Sequence, residues 1–275
     1  MDQNIPCQFF SFENTALAVR YRKGRQSPGL VWLHGYLSDM SGDKAMLVDS
    51  FAQKNDLSCL RFDYSGHGES GGDFFQGTIS RWVKESLAVF ETYCEGPQIL
   101  IGTSMGGWIA LKLAMMLAQK NKKLAGMILI APAPDFTQTL IESGLGRKGW
   151  KILEETEHIE RSAISYTEPV PFTKVFIEDG RDNCVMKGCI DVGCPIHILQ
   201  GMEDVEIPYQ HTMTLLDHLP LHDVTLTLVR DADHRFSRPQ DLDCLETVLR
   251  SLIDRINAGE GGKFIDDEDI MYEHF

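Results

Sequence analysis

The sequence predicts an α/β fold in which helices cover both faces of a doubly wound, mostly parallel sheet. Short apolar runs alternate along the chain with longer stretches of helical periodicity, which is typical of strands joined by crossover helices. Most of these runs are almost continuously hydrophobic, as expected of strands that are buried on both faces. The chain has 275 residues, of which 43% are hydrophobic, and this is enough for one domain with a sizeable core.

The individual elements follow from these patterns. The apolar runs predict strands over residues 29–33, 58–62, 98–101, 126–130, 195–199 and 224–228. Helical periodicity extends over residues 43–54, 78–94, 105–120 and 242–256. Residues 8–12 and 16–21 can pair as an antiparallel hairpin at the edge of the sheet.

We predict a single domain over residues 1–275. Two of its segments interrupt the alternation of strands and helices. Residues 134–193 form a segment too long for a structureless loop, so we expect a small helical cap inserted over the rim of the sheet. Residues 259–275 are rich in acidic side chains, and we expect them to form a solvated tail.

Composition argues against several classes of function. The 26 basic and 40 acidic residues give a net charge of −14, which phosphate backbones and anionic lipids should repel. We therefore expect no nucleic-acid binding and no stable membrane insertion. The N-terminal residues resemble neither a secretory signal nor a transit peptide, and the cysteines lack the spacing of a zinc ribbon. These features predict reduced cysteines and a cytoplasmic protein.

The segment Gly102-Thr-Ser-Met-Gly106 follows a predicted strand and opens a predicted helix. The pattern G-x-S-x-G is weak by itself, but a sharp strand-to-helix turn pushes a serine hydroxyl clear of the sheet. The alternative is a tight turn whose serine only caps the helix. The context favours Ser104 as a nucleophile.

A serine hydroxyl needs a base to take its proton and a carboxylate to orient that base. Both are expected in loops that follow later strands, first the acid and then a histidine. His234 follows the last predicted strand, whereas Glu203, Asp204 and Glu206 compete for the role of the acid. The turn favours Asp204, and all three loops should open onto one crevice at the carboxyl ends of the strands.

Two backbone amides are expected to stabilise the negative oxygen of an acyl-transfer intermediate. One is the amide of Met105, which directly follows the nucleophile at a helix N-terminus. The other should come from the loop after the first long strand, where Gly35 lets the chain turn under the serine. In this loop we favour the amide of Tyr36 over that of Leu37.

The remaining histidines do not predict a metal site. His34 and His67 lie in turns flanked by glycine and are interpreted as structural. His218 and His222 are four residues apart, but Pro220 between them disrupts a helical metal-binding pair. We expect no metal and no cofactor.

Together these motifs resemble those of the α/β-hydrolases. They are His34-Gly35, Asp63-Tyr-Ser-Gly-His-Gly-Glu-Ser70, Gly102-Thr-Ser-Met-Gly106, Gly201-Met-Glu-Asp204 and Asp233-His234. Further segments resemble one branch, that of the palmitoyl-protein thioesterases and acyl-glucuronide esterases with their bacterial relatives; they are Gly35-Tyr-Leu-Ser, Arg61-Phe-Asp-Tyr-Ser-Gly, Gly96-Pro-Gln-Ile-Leu, Gly106-Gly-Trp and Asp233-His-Arg235. The resemblance covers roughly residues 16–257. It implies a serine esterase or thioesterase with Ser104, Asp204 and His234 as its triad.

Our first hypothesis is therefore a hydrolase that cleaves small acyl esters or acylated substrates through an acyl-enzyme. A receptor that only binds a ligand in the crevice is an alternative, as is a carbon–carbon bond hydrolase or an acyltransferase, because the fold alone does not decide among them. We assign acyl-chain recognition to the cap and expect Trp150 and Phe172 to contact the substrate. Other apolar candidates in the cap are Phe136, Leu140, Leu145 and Phe176. The sequence leaves the oligomeric state open.

Overall fold

The computed structural model describes residues 5–221 and 223–259. Its strands are β1 (Gln8–Phe12), β2 (Thr15–Arg22), β3 (Gln26–Leu33), β4 (Leu57–Phe62), β5 (Gln98–Thr103), β6 (Gly126–Ile130), β7 (His158–Arg161), β8 (Val170–Thr173), β9 (Ile196–Gly201) and β10 (Val224–Val229). Its α-helices are α1 (Asp43–Lys54), α2 (Ile79–Tyr93), α3 (Met105–Gln119), α4 (Gly146–Thr156), α5 (Lys174–Asp182), α6 (Tyr209–Leu216) and α7 (Pro239–Asn257). Short 3₁₀ and π turns occupy Phe74–Gln76, Thr137–Ile141 and Glu142–Gly144.

Eight of these strands form one sheet in the order β1-β2-β4-β3-β5-β6-β9-β10. All neighbours are parallel except at β2, which is antiparallel to both β1 and β4. The doubly wound, mostly parallel sheet predicted from the sequence is confirmed, with each predicted strand and the edge hairpin in place. The four predicted helices are also present. The last begins earlier than predicted because Pro239 occupies its first position and Asp241 accepts the Arg238 N–H.

Helices bury both faces of the sheet, as the continuous hydrophobicity of its strands requires. Leu30 and Trp32 of β3 pack into one cluster with side chains of α1 and α7. The alternate residues Val31 and Leu33 pack into the other cluster with side chains of α2 and α3. Within the described ranges, no helix is both long and apolar enough to cross a bilayer.

The segment between β6 and β9, predicted as a helical cap over residues 134–193, is helical only in part. It contains α4 and α5, but β7 and β8 also pair there as an antiparallel two-stranded sheet. Alternate side chains of these short strands are buried, such as Ile159, Val170 and Phe172, and this period of two is the signal that the sequence analysis missed. The predicted tail lies outside the described residues beyond Gly259.

The parallel strands place the predicted site residues along one edge of the sheet. Ser104 follows β5, Asp204 follows β9 and His234 follows β10. The carboxyl ends of parallel strands meet at the same edge, so residues that are far apart in sequence become neighbours there.

Candidate active site

Ser104 lies at the sharp turn between β5 and α3. Its backbone has φ 52° and ψ −122°, a conformation that residues with a side chain rarely adopt. Glycines make this turn possible, because a Cβ atom on Gly106 would collide with the carbonyl oxygen of Leu33, and one on Gly102 with that of Gly106. The close approach of strand and helix below the turn leaves the serine hydroxyl directed away from the sheet.

The structure brings Ser104, His234 and Asp204 into one hydrogen-bonded series. His234 Nε2 lies 3.1 Å from Ser104 Oγ, and His234 Nδ1 lies 2.8 Å from Asp204 Oδ2. Of the other two carboxylates that compete for this role, Glu203 is exposed and Glu206 accepts the N–H of Ser165 at 2.7 Å. Asp204 is therefore the carboxylate that contacts the imidazole.

The Asp204 carboxylate is buried and its two oxygens have separate partners. Oδ1 accepts the backbone N–H of Ile207 at 2.8 Å, while Oδ2 accepts from Gln200 Nε2 at 3.2 Å as well as from His234. Gln200 is in turn held by the Thr212 hydroxyl at 2.7 Å. These bonds orient the carboxylate. No motif in the sequence marks Gln200, although its position at the end of β9 places it beside the site.

The loop after β3 lies against Ser104. A Cβ atom built on Gly35 would lie 3.3 Å from the Cβ of Ser104, so only glycine leaves ordinary room at this contact. The backbone N–H of Leu37 donates to His67 Nε2 at 3.3 Å. This contact engages the amide of Leu37 and leaves that of Tyr36 as the candidate donor from this loop. Met105 begins α3, and the first N–H groups of a helix lack partners within it.

Two buried imidazoles support this loop. Burial lowers the pKa of His67 to about 4 and lowers that of His34 well below its ordinary value. His67 is therefore neutral near pH 7, with Nδ1 donating to the Ser65 carbonyl at 3.2 Å and Nε2 free to accept from Leu37. Both histidines pack in the interior, consistent with their structural interpretation.

An apolar cavity of about 490 Å³ opens from Ser104 and His234 into the cap. This volume is within the range of small-molecule sites. Phe172, predicted to contact substrate, lines it and stacks on the ring of Tyr36 at a centroid distance of 5.3 Å. Other apolar side chains that line it are Phe136, Leu140, Ile141, Ala163, Ile164, Val170, Val205 and Ile207, and the polar residues Arg161, Ser162 and Glu206 complete the lining.

The prediction for Trp150 needs a correction. Trp150 is not among the residues that line the apolar cavity. The guanidinium carbon of Arg181 lies over the Trp150 ring, 5.5 Å from its centroid. The ring itself is half-buried and packs against the core. A residue of α4 thus contacts α5 instead of the cavity. Phe176 and Leu145 also stay outside it, and Phe176 stacks on Tyr36.

Tyr36 also connects the loop to the cap. Its hydroxyl donates to the carbonyl of Pro171 at 2.7 Å, and its own carbonyl accepts from the hydroxyl of Tyr166 at 2.7 Å. No sequence motif marks Tyr166, because this contact depends on how the cap folds back over the sheet. Tyr36 and Tyr166 both border the space beside Ser104.

Comparison with known proteins identifies the family. The sequence model of a family described as serine aminopeptidase, S33, matches residues 26–157. The human mitochondrial palmitoyl-protein thioesterase ABHD10 is 32% identical over 250 residues, which cover 88% of this chain and 78% of that protein. The structure of alpha/beta hydrolase domain-containing protein 10 from mouse superposes with a TM-score of 0.83 at 31% identity, covering 91% of this chain and 99% of that one. The chain belongs to the α/β-hydrolase family.

A bacterial structure is also similar to this α/β-hydrolase. The crystal structure of a protein from Agrobacterium vitis S4, described only as a hydrolase, is 47% identical, with a TM-score of 0.86. The alignment covers 90% of this chain and 99% of that one. The predicted family, fold class and hydrolase function are thus confirmed.

Proposed function

We propose that this α/β-hydrolase cleaves carboxylic esters or thioesters through a covalent acyl-enzyme on Ser104. The observation that carries the proposal is the hydrogen-bonded series from Ser104 Oγ to His234 and on to Asp204, at the mouth of an apolar cavity. Distances of 3.1 and 2.8 Å are within the range expected of a nucleophile, its base and the group that orients the base.

In the first half of the reaction, Ser104 Oγ attacks the acyl carbon while His234 Nε2 takes the hydroxyl proton. Asp204 stabilises the imidazolium that forms and keeps Nδ1 protonated. The tetrahedral intermediate then collapses, the bond to the leaving oxygen or sulfur breaks, and His234 returns the proton to that atom. An acyl ester on Ser104 remains.

In the second half, His234 takes a proton from water and the resulting hydroxide attacks the acyl carbon. Collapse of this intermediate releases the carboxylic acid and restores the Ser104 hydroxyl with the proton held by His234. In both halves the amides of Tyr36 and Met105 are proposed to donate to the negative oxygen. Loss of one such donor costs about 3 kcal/mol in comparable enzymes.

The apolar cavity is proposed to hold the acyl chain. Phe136, Leu140 and Phe172 offer apolar surface to it, and each buried methylene contributes up to about 0.8 kcal/mol. This favours medium or long acyl groups. Because ABHD10 is named a palmitoyl-protein thioesterase, a long-chain acyl thioester is the substrate class we propose first.

Two other readings remain as outcomes of the test. A ligand receptor would not need an oriented nucleophile that borders the cavity, whereas a carbon–carbon hydrolase or acyltransferase would use the same serine on another bond or acceptor.

The cytoplasmic location also stays a prediction from the sequence, and fractionation of cells that express the chain would test it against the mitochondrial location named for ABHD10.

Labelling with a fluorophosphonate, followed by kinetics on p-nitrophenyl octanoate, tests the proposal. We expect the wild type to be labelled and to release p-nitrophenol, and Ser104→Ala to do neither. Ser251→Ala, which changes an exposed serine of α7, is the matched control and should behave as wild type. A folded wild type that is not labelled and shows no turnover would support the receptor, and labelling without ester hydrolysis would support a different bond or acceptor.

A further inference from the structure

The loop that carries His234 has a strained backbone. We name residues 233–237, which lie between β10 and α7, the histidine turn. Within this turn Phe236 has φ 46°, in the left-handed region that a large side chain rarely adopts. Phe236 is fully buried in one cluster with side chains of α1 and α7. Such a conformation persists only where surrounding contacts fix it, so the same contacts determine where the imidazole of His234 lies.

Hydrogen bonds from inside and outside the histidine turn hold its backbone. Asp233 Oδ1 accepts the backbone N–H of Phe236 at 3.2 Å, and the Ser237 hydroxyl donates to the Arg235 carbonyl at 2.8 Å. From outside the turn, the ammonium group of Lys44 donates to the same Arg235 carbonyl. It also donates to the Ser237 hydroxyl at 3.3 Å. One cation from α1 therefore contacts the chain on both sides of the strained residue.

Neither the helix nor an ion pair explains the position of Lys44. It is the second residue of α1, where the positive end of the helix dipole disfavours a cation. Its side chain is only partly exposed. No described carboxylate oxygen lies within 4.0 Å of its Nζ. The acceptors that the structure gives this ammonium group are the two oxygens of the histidine turn.

The charge of Lys44 strengthens these contacts at neutral pH. Burial, with a further contribution from the Arg235 guanidinium, lowers the pKa of Lys44 to about 8. The nearby carboxylates that oppose this shift are those of Asp43, Asp233 and Asp241. The group is therefore still mostly charged near pH 7, and hydrogen bonds from a charged donor are about twice as strong as those between neutral groups.

We propose that Lys44 is a positioning residue for the general base. Its ammonium group holds the Arg235 carbonyl and the Ser237 hydroxyl, and the turn held in this way keeps His234 Nε2 within reach of Ser104 Oγ. Lys44 has no hydrogen bond to either nitrogen of the imidazole, so it acts through the histidine turn. This inference rests on the proposed function, in which His234 takes the proton of Ser104.

Steady-state kinetics on p-nitrophenyl octanoate test the proposal. At pH 7.5 we expect Lys44→Met to lower kcat about tenfold, since the charge-assisted hydrogen bonds to the turn are lost. KM should stay within about twofold of the wild-type value, because the apolar cavity that holds the acyl chain is unchanged. Lys54→Met is the matched control and should behave as wild type, because Lys54 is exposed in the last turn of α1.

Lys44→Arg tests whether the charge matters. A space of about 370 Å³ borders Lys44 and gives room for the larger guanidinium. This variant should recover most of the kcat that Lys44→Met loses. Arginine stays charged at alkaline pH, whereas Lys44 loses its proton near pH 8. The ratio of the wild-type kcat to that of Lys44→Arg should therefore fall about threefold as the pH rises from 7 to 9.5.

A double-mutant cycle with Ser237→Ala separates positioning from partial misfolding. Ser237→Ala removes one of the two acceptors of the ammonium group and should lower kcat about threefold in the wild-type background. In the Lys44→Met background its effect should be smaller, because the donor is already absent. A Lys44→Met protein that was only partly folded would show the same factor for Ser237→Ala in both backgrounds.

The possible failures are distinguishable. An unchanged kcat in Lys44→Met, or a rise in KM alone, would overturn the positioning role and leave the proposed function intact. Equal effects of Ser237→Ala in the two backgrounds would overturn it as well. An equal loss in Lys44→Arg and Lys44→Met, or a ratio that does not change with pH, would overturn the role of the charge. Absence of turnover of p-nitrophenyl octanoate by the wild type would overturn the proposed function, and this inference with it.

Discussion

The hydroxyl of Tyr166 donates to the main-chain carbonyl of Tyr36 at 2.7 Å. Tyr166 belongs to the connection between β7 and β8 in the cap, and Tyr36 belongs to the loop that lies against Ser104. A single hydrogen bond thus joins the cap to the carbonyl of Tyr36, the residue whose own N–H we propose as a donor to the oxyanion.

We expect Tyr166→Phe to lower kcat on p-nitrophenyl octanoate about fivefold. The substitution removes one hydrogen bond to the carbonyl of Tyr36, worth about 1 kcal/mol, and so loosens the residue whose N–H is the proposed donor. Steady-state kinetics are the measurement, and kcat should change more than KM. Tyr93→Phe, in the last turn of α2, is the control. An unchanged kcat in Tyr166→Phe would mean that the loop keeps its position without the cap.

Asp204→Asn should lower kcat by about 10⁴-fold, as the same change does in serine proteases, because the amide favours the wrong tautomer of His234. Glu203→Gln and Glu206→Gln serve as controls and should change kcat far less, since neither carboxylate contacts the imidazole. Kinetics on the same ester compare all three variants. A large loss in Glu206→Gln alone would contradict the assignment of the acid.

Catalytic efficiency should rise with acyl length from acetyl to at least octanoyl, for thioesters and oxygen esters alike. Each methylene buried in the apolar cavity contributes up to about 0.8 kcal/mol. Phe172→Ala and Leu140→Ala should flatten this rise because both side chains line the cavity.

Trp150→Ala is the matched control for the length series. Its ring contacts Arg181 outside the cavity, so the slope with acyl length should stay as in the wild type. The slope is read from kcat/KM on a series of p-nitrophenyl esters and a parallel series of thioesters. A flat series in the wild type would remove the assignment of long acyl chains.

Acid should destabilise the protein through His67. Its pKa is lowered by burial from 6.5 to about 4, so between these values the unfolded chain binds a proton that the folded chain does not. Stability therefore falls as the pH drops through this window, by up to about 3 kcal/mol in total. Asp63 acts in the opposite direction, because burial raises its pKa to about 6.

Comparison of the wild type with His67→Gln separates the contribution of His67 to the pH dependence of stability from that of Asp63. Urea unfolding at several pH values gives the difference in the free energy of unfolding between them. The wild type should lose stability relative to the variant as the pH falls from about 6.5 towards 4. A difference that does not depend on pH would show that His67 titrates normally in the folded protein.

The sequence by itself determined the sheet and the sharp turn at Ser104. Continuous apolar runs and helical periods are local patterns that predict strands and helices directly. The glycines around Ser104 indicate a close approach of strand and helix, because only glycine allows it. His234 and Asp204 could be placed as well, because loops at the carboxyl ends of parallel strands share one edge. Choosing Asp204 over Glu206 depended on turn geometry, and the contact with His234 was visible only in the structure.

Only the tertiary structure decided which cap residues face the cavity. Trp150 and Phe172 are both large aromatic residues in one segment, yet one contacts α5 and the other lines the space beside Ser104. Hydrophobicity predicts that such side chains are buried, but it carries no information on which neighbour buries them. The same holds for the contact of Tyr166 with Tyr36, since it joins residues from separate elements through packing that no local sequence pattern predicts.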